Sequence, residues 1–170
     1  MRADKLGLKK YQGDDDHELN QQLQKILLLA ETDITIFYRK LADVSCEQNE
    51  LSDEALLEPL MEAYYAPDAL SKEDICDWLR QYQQRVQQDG TSDQDRKARM
   101  NLVNPKYVLR NYLSQQAIDK AHEGDYSMID ELLEVMHRPY DEQPQYHHYA
   151  AKRPDWARDK PGCSMLSCSS

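Results

Sequence analysis

Glycine is scarce in this 170-residue chain. There are five, at positions 7, 13, 90, 124 and 162, and no two are neighbours. A phosphate-binding loop lays several backbone N–H groups on a polyphosphate, and it usually needs clustered glycines to do so. Neither GxGxxG nor a P-loop is present, so no nucleotide-binding fold is expected from these residues. Phenylalanine occurs once, at Phe37, which leaves no DFG metal-binding triplet. Basic residues are outnumbered, with 21 Lys and Arg against 31 Asp and Glu and a formal net charge of −10. That balance suits neither nucleic-acid phosphates nor an anionic bilayer, so no nucleic acid and no membrane is expected as a partner. Long apolar runs are also missing. The longest, "ILLLA", is far too short to span a bilayer, and "MRADKLGLKKYQGDDDHELN" holds no run of signal-peptide length. A cytoplasmic location is expected.

Cysteine is present but scattered, at positions 46, 76, 163 and 168. Reducing compartments do not sustain disulfides, and this spacing is no disulfide framework. Cys46 and Cys76 read as small core residues. Cys163 and Cys168 lie in the terminal "GCSMLSCSS", which carries serines and no evident apolar anchor. From composition this end is expected to be disordered and both thiols exposed. A mobile thiol near a chain end can reach far and exchange disulfides.

Helical periodicity fills the chain from about residue 14 to residue 137. Asp14, Asp15 and Asp16 offer N-cap and first-turn acids, followed by Leu19, Leu23, Ile26, Leu27 and Ala30. Ile34, Phe37, Tyr38 and Leu41 mark a second, short helix. Ser52 can cap a third, which Pro59 is placed to kink. Ser71 with Asp74 fits a capping box, and Ile75, Trp78, Leu79, Tyr82 and Val86 form one stripe ending at Gly90. Ser92 and Asp95 repeat the box. Asn104 reads as an N-cap and Pro105 as a first helical residue, with Leu109, Leu113, Ala117 and Ala121 on one face. A last helix should turn Ile129, Leu132, Leu133 and Met136 inward. The fold class is all-α, an irregular helical domain of six to eight helices over residues 1–138. Residues 139–170 contain Pro139, Pro144, Pro154 and Pro161 without periodicity. They are expected to be an extended, partly disordered tail, its first part held by Tyr140, Tyr146, Tyr149 and Trp156.

Other chemistry is weakly signalled. His147 and His148 are adjacent and would point opposite ways on extended backbone, and zinc-type spacing with His137 is missing. Asp141, Glu142 and the Asp14–Asp16 run read as caps and solvated charge, since nothing isolates them in an apolar pocket. Arg110 and Asn111 read as a helix–helix contact.

Four blocks, "NPKYVLRNYLSQQAIDKAHEGDY", "RPYDEQPQY", "RPDWA" and a terminal "SCSS", together resemble the C-terminal portion of the selenoprotein O family, SelO or YdiU. The opening "MRADKLGL" resembles the stretch that follows that family's catalytic core. The resemblance implies a protein adenylyltransferase, which uses ATP and Mg²⁺ on a kinase-like core to transfer AMP to hydroxyl side chains of other proteins. No glycine loop, lysine, aspartate or metal ligand of that core has a counterpart here. Catalytic, cofactor-binding and metal residues are therefore none in this stretch, which is expected to be inactive alone. The tail does carry over: Cys168 stands third from the end, where the family places selenocysteine or cysteine as a redox element. Met165 stands where selenocysteine-bearing members have a cysteine, and Cys163 is five residues from Cys168. This implies a long-range partner, on the core, rather than a local couple. The implied partners are a kinase-like catalytic core and the family's protein substrates. Alternatively, the chain is a stand-alone helical binding module that docks to a separately encoded core. Either way an apolar face is expected to stay uncovered, on the helices of residues 14–44 or 104–123.

Overall fold

The computed structural model describes residues 3–48, 50–69 and 71–163. Seven α-helices run along it: α1 Gly13–Leu29, α2 Ile34–Leu41, α3 Asp53–Leu57, α4 Lys72–Gln88, α5 Asp93–Asn101, α6 Asn111–His122 and α7 Ser127–His137. Short 3-10 turns occupy Ala3–Leu6, Glu58–Ala63, Pro67–Ala69, Pro144–Ala150 and Asp155–Ala157. The only β-type pairing among the described residues is an isolated bridge between Thr32 and Tyr64. The fold is all-α. The chain separates into two compact units, Met1–Asn104 and Pro105–Ser170.

The first unit follows its sequence signals closely. Asp33, Ser52, Ser71 and Ser92 each accept a backbone N–H three residues on, at 3.1, 3.3, 3.4 and 3.1 Å. Each thereby satisfies a helix-terminal donor that has no partner inside the helix. The α4 stripe enters the core as expected: Trp78 stacks on Tyr82 at 5.3 Å and donates to the Leu19 carbonyl of α1 at 2.8 Å. Leu19, Leu23 and Leu27 of α1 pack with Phe37, Leu41, Leu56, Leu60 and Leu79. Pro59 does more than kink α3, for the helix tightens into a 3-10 turn over Glu58–Ala63.

Helix ends in this unit are closed by arginines from neighbouring elements. Arg96 of α5 is wholly buried and donates to the Leu41, Ala42 and Val44 carbonyls where α2 ends. Arg39 of α2 does the same for α5, donating to the carbonyls of its last residue, Asn101, and of Asn104 beyond it, each at 3.0 Å. A cation at a helix C-terminus meets both the orphan carbonyls and the negative end of the dipole. The N-terminal arm is tied down in the same manner. Tyr82 donates to the Leu6 carbonyl at 2.8 Å, Arg99 to Gly7 at 3.0 Å and Arg85 to Lys10 at 2.9 Å. Gly7 has φ +72, and a Cβ there would sit 2.7 Å from Arg96 Cγ, so no other residue fits.

The second unit departs from expectation at its start. Residues 105–110 are not helical, and α6 begins at Asn111. The Lys106 and Tyr107 N–H groups both donate to the Pro139 carbonyl, at 2.8 and 3.0 Å, and the Tyr107 hydroxyl donates to the Gln143 carbonyl at 2.9 Å. Pairing with a segment distant in sequence outcompetes the local helix signal of Asn104–Pro105. Asn104 instead donates to the Lys5 carbonyl at 3.0 Å in the first unit. Leu109 is consequently exposed. The inward face of α7 is met in part: Leu132 is buried and Met136 packs on the second core as expected, whereas Ile129 and Leu133 are exposed and Met128 and Val135 are buried in addition.

Residues 139–163 fold back on α6 and α7. Tyr146 donates to Glu134 at 2.6 Å and Tyr149 to Glu131 at 2.5 Å. Trp156 meets Tyr112 edge to face at 6.1 Å. Three of the four expected aromatic anchors therefore hold, and Tyr140 stays exposed. Gln143, itself buried, donates to the Val135 and Arg138 carbonyls at the end of α7.

Candidate functional site

The candidate site from the sequence is the cysteine-bearing end. Cys163 is 2 % exposed and packs in the second unit's core with Tyr107, Leu113, Ala117, Leu132 and Ala157. The expectation of an exposed, unanchored Cys163 is corrected on this point. The cause lies in the turn before it. Lys160 bonds Asp119 of α6 at 2.9 Å, the Cys163 N–H closes on the Lys160 carbonyl at 3.0 Å, and Gly162 takes φ +85. A Cβ at position 162 would lie 2.4 Å from Gln115 Oε1 of α6. The turn is thus pressed on α6 by its one glycine, and the thiol points inward. Cys168 lies outside the described residues.

Beside this turn runs an open groove of about 540 Å³. Tyr112, Leu113, Met128 and Tyr149 form its floor, and Trp156 and Lys160 stand at its edge. Lys160 lies 5.6 Å from the Trp156 ring and holds the Asp119 carboxyl below its ordinary value. With that lysine and carboxylate satisfying each other, no unpaired charge in the pair remains to fix a ligand.

Cys46 and Cys76 are buried, as read from the sequence. Burial pushes the Cys46 thiol up to about 12 and the Cys76 thiol to about 11; near Cys76 the Asp53 carboxylate adds to the effect. A thiol held protonated is a poor nucleophile, so both are packing residues. Asp16 was expected to be a solvated first-turn acid, and the structure corrects this. It is 1 % exposed and holds Arg85 of α4 in a fork, at 2.6 Å to Nε and 3.1 Å to Nη2. Asp89 adds a third contact at 3.0 Å. Burial alone would lower the Arg85 value, and the two carboxylates outweigh it. Asp93 is treated similarly: burial works against its charge, but N–H groups of Cys46 and Glu47, the Ser45 hydroxyl and Arg96 bring its carboxyl below the ordinary value. Composition gives no hint of Asp16, since one acid in a run of three looks like the others. Only its position three residues before Leu19, on the inward stripe, marks it.

Arg110 is buried at the α6 N-cap and Asn111 opens the helix. His147 and His148 lie on the 3-10 turn, where the His148 ring rests on Tyr149 at 4.0 Å. Among the described residues no three His, Cys, Asp or Glu converge on a point that would hold a metal ion. Gly7, Gly13, Gly90, Gly124 and Gly162 each stand singly at positive φ in separate turns.

Besides Tyr11, Leu102, Leu109, Tyr140 and Trp156, exposed apolar side chains stand in two stretches. At the α1–α2 junction, Leu28 and Leu29 are 84 % and 83 % exposed and Ile34 is about half exposed. In the second unit, Tyr126, Ile129 and Leu133 are exposed along α7 and Ile118 on α6.

Comparison with known proteins covers the whole chain. A family described as "Protein adenylyltransferase SelO" matches residues 1–137. A "Protein nucleotidyltransferase YdiU" of Rhodopirellula baltica is 53% identical over 180 residues, covering 100% of this chain and 33% of the relative. The protein of that name in Aromatoleum aromaticum is 46% identical over 172 residues, covering 100% and 32%. That of Xanthomonas campestris pv. campestris is 51% identical over 170 residues, covering 99% and 32%. The chain spans about a third of the length of the curated relatives it matches. No helix among the described residues is long and apolar enough to cross a membrane.

Proposed function

The chain belongs to the protein adenylyltransferase SelO family, and from that premise we propose that it is the C-terminal helical third of a SelO-type AMP transferase. In this reading ATP and Mg²⁺ are held by a kinase-like core outside these 170 residues, AMP passes to hydroxyl side chains of protein substrates, and this chain docks to the core without supplying a catalytic residue. Cys168 is its redox-regulatory thiol. Cys163, being buried, anchors the turn that precedes Cys168. One observation carries the reading: relatives match all of this chain while it accounts for only a third of them.

The test has two arms. In the first, the isolated chain is titrated with Mg·ATP by calorimetry, and no saturable binding is expected. In the second, the matching third of the Rhodopirellula relative is replaced by this chain, and transfer of labelled AMP to a protein acceptor is measured. Activity of the chimera with silence of the isolated chain supports the proposal. Saturable Mg·ATP binding by the isolated chain, abolished by point changes within it, overturns it.

A second reading, a stand-alone docking module, is favoured by the first unit's filled core. Its buried aromatics and paired arginines are those of a body that folds by itself. The DNA flanking the coding region separates the two: a kinase-like core immediately upstream marks one interrupted protein, and a core encoded elsewhere marks a module.

A further inference from the structure

We propose that the α1–α2 junction, with Leu28, Leu29 and Ile34, is the surface on which the remaining two-thirds of a SelO-type protein docks. The inference rests on the reading above, that this chain works together with a core, and it specifies where.

Leu19, Leu23 and Leu27 already fill the inward face of α1. Leu28 and Leu29 follow directly and point away from it, with more than four-fifths of each side chain in water. A helix gains nothing from leucine at such positions that lysine, glutamine or glutamate would not also supply, since their helix propensities are nearly equal. A scattered exposed leucine is ordinary, but two adjacent ones beside a half-exposed isoleucine make a patch. Elsewhere in this unit the large exposed apolar side chains, Tyr11 and Leu102, lie apart in sequence, and Leu28 and Leu29 are the most exposed of all. The patch therefore belongs to an interface rather than to loose packing.

The occupant follows from length. The curated relatives carry about twice as much chain outside the matched region as within it, and every part of this chain is matched. Protein of that amount must contact the matched third somewhere. The second unit's stripe is the weaker candidate: its members are only about half exposed, and Tyr126 carries a hydroxyl that tolerates water.

The experiment uses hydroxyl-radical footprinting, which reads side-chain exposure directly. It compares the isolated chain with the full-length chimera of the Rhodopirellula relative. Leu28 and Leu29 are expected to be oxidised at least fivefold more slowly in the chimera, with Ile129 and Leu133 unchanged. Equal oxidation of Leu28 and Leu29 in both proteins, or protection of Ile129 and Leu133 instead, overturns the proposal. Should the chimera not fold, the chain is co-expressed with the relative's remaining two-thirds. Co-purification that falls at least tenfold for Leu28→Glu/Leu29→Glu and persists for Ile129→Glu/Leu133→Glu supports the site. Equal loss in both, loss in neither, or no co-purification of the unmodified chain overturns it. Protection at Leu28 and Leu29 in a chimera without AMP transfer leaves the docking surface standing and refutes the activity alone.

Discussion

Removing the Asp16 carboxylate should destabilise the first unit far more than an acid in a helix's first turn normally allows. Asp16 is 1 % exposed and Arg85 9 % at their side chains, and they meet in a fork of 2.6 and 3.1 Å. Asp16→Ala leaves a buried guanidinium with fewer partners, a loss that runs to about 3–5 kcal/mol when one member of a buried pair is deleted. Asp89 remains 3.0 Å from Arg85 and compensates in part. The Gln12 N–H loses its acceptor at 2.6 Å, which restores about 1 kcal/mol to the cost. The net expectation is about 3 kcal/mol. Asp16→Ala/Arg85→Met removes both charges, leaves Asp89 bonded to the Lys9 N–H at 2.6 Å, and should cost less than the sum of the two single changes by at least about 1.5 kcal/mol. Urea unfolding followed through Trp78 fluorescence, in a Trp156→Phe background, isolates this unit. A cost below about 1 kcal/mol for Asp16→Ala, or strict additivity in the double change, would refute the reasoning by showing that the pair is effectively solvated.

Three further outcomes are expected. Cys46, Cys76 and Cys163 should be alkylated slowly in native buffer and quickly in urea, as read by mass spectrometry; native labelling of Cys163 at the rate of a free thiol would show that its turn is not seated. Gly162→Ala should strain that turn, because it puts a Cβ on backbone at φ +85, while Gln115 Oε1, at the end of a flexible side chain, can move aside; the cost is about 1–3 kcal/mol on the second unit, with faster Cys163 alkylation as its signature. The first unit should weaken with alkali: Cys46 is raised to about 12 from an ordinary value near 9, so its unfolded thiolate forms first, stability is full below that ordinary value and falls as pH rises toward 12. The pull is up to about 4 kcal/mol at the top of the window, and Cys46→Ala should remove this part of the pH dependence.

The helices and their caps were legible because they are local. Ser52, Ser71 and Ser92 announce helix starts by chemistry that acts within three residues. What the sequence concealed is non-local. The start of α6 is set by the Pro139 carbonyl, 32 and 33 positions from the two N–H groups that use it, and no window around Asn104–Pro105 contains that information. The outward turn of Ile129 and Leu133 on α7 has a similar origin: the helix packs against a tail whose Tyr146 and Tyr149 bond Glu134 and Glu131, contacts made 12 and 18 positions away. The aromatics of the tail marked its first part as anchored, but composition placed Cys163 beyond the last anchor, where a turn set by Gly162 and the Lys160–Asp119 pair seats it. The arginines escaped notice because arginine normally signals a surface, and nothing local distinguishes Arg96 from Lys97.

Burial of Cys163 changes what a redox role for the tail would require. A bond between Cys163 and Cys168 would first need Cys163 drawn out of a cluster that includes Tyr107, Leu113 and Leu132. It would also need the turn held by Lys160 and Asp119 to open. The cost of exposing that side chain and breaking that turn falls on the local couple alone. A thiol elsewhere, meeting Cys168 directly, bears none of it. For a long-range couple, Cys163 would matter in a different way. It fixes the point from which the last residues depart, so Cys168 can lie no farther than about 17 Å from it at ~3.4 Å per residue. Any cysteine of the core that pairs with Cys168 is confined to the neighbourhood of this turn. Releasing the turn with Gly162→Ala should therefore slow a tail-to-core disulfide and favour the local one. Non-reducing peptide mapping of the oxidised full-length chimera reads both bonds. An unchanged ratio between them would mean that the anchor has no part in choosing the partner.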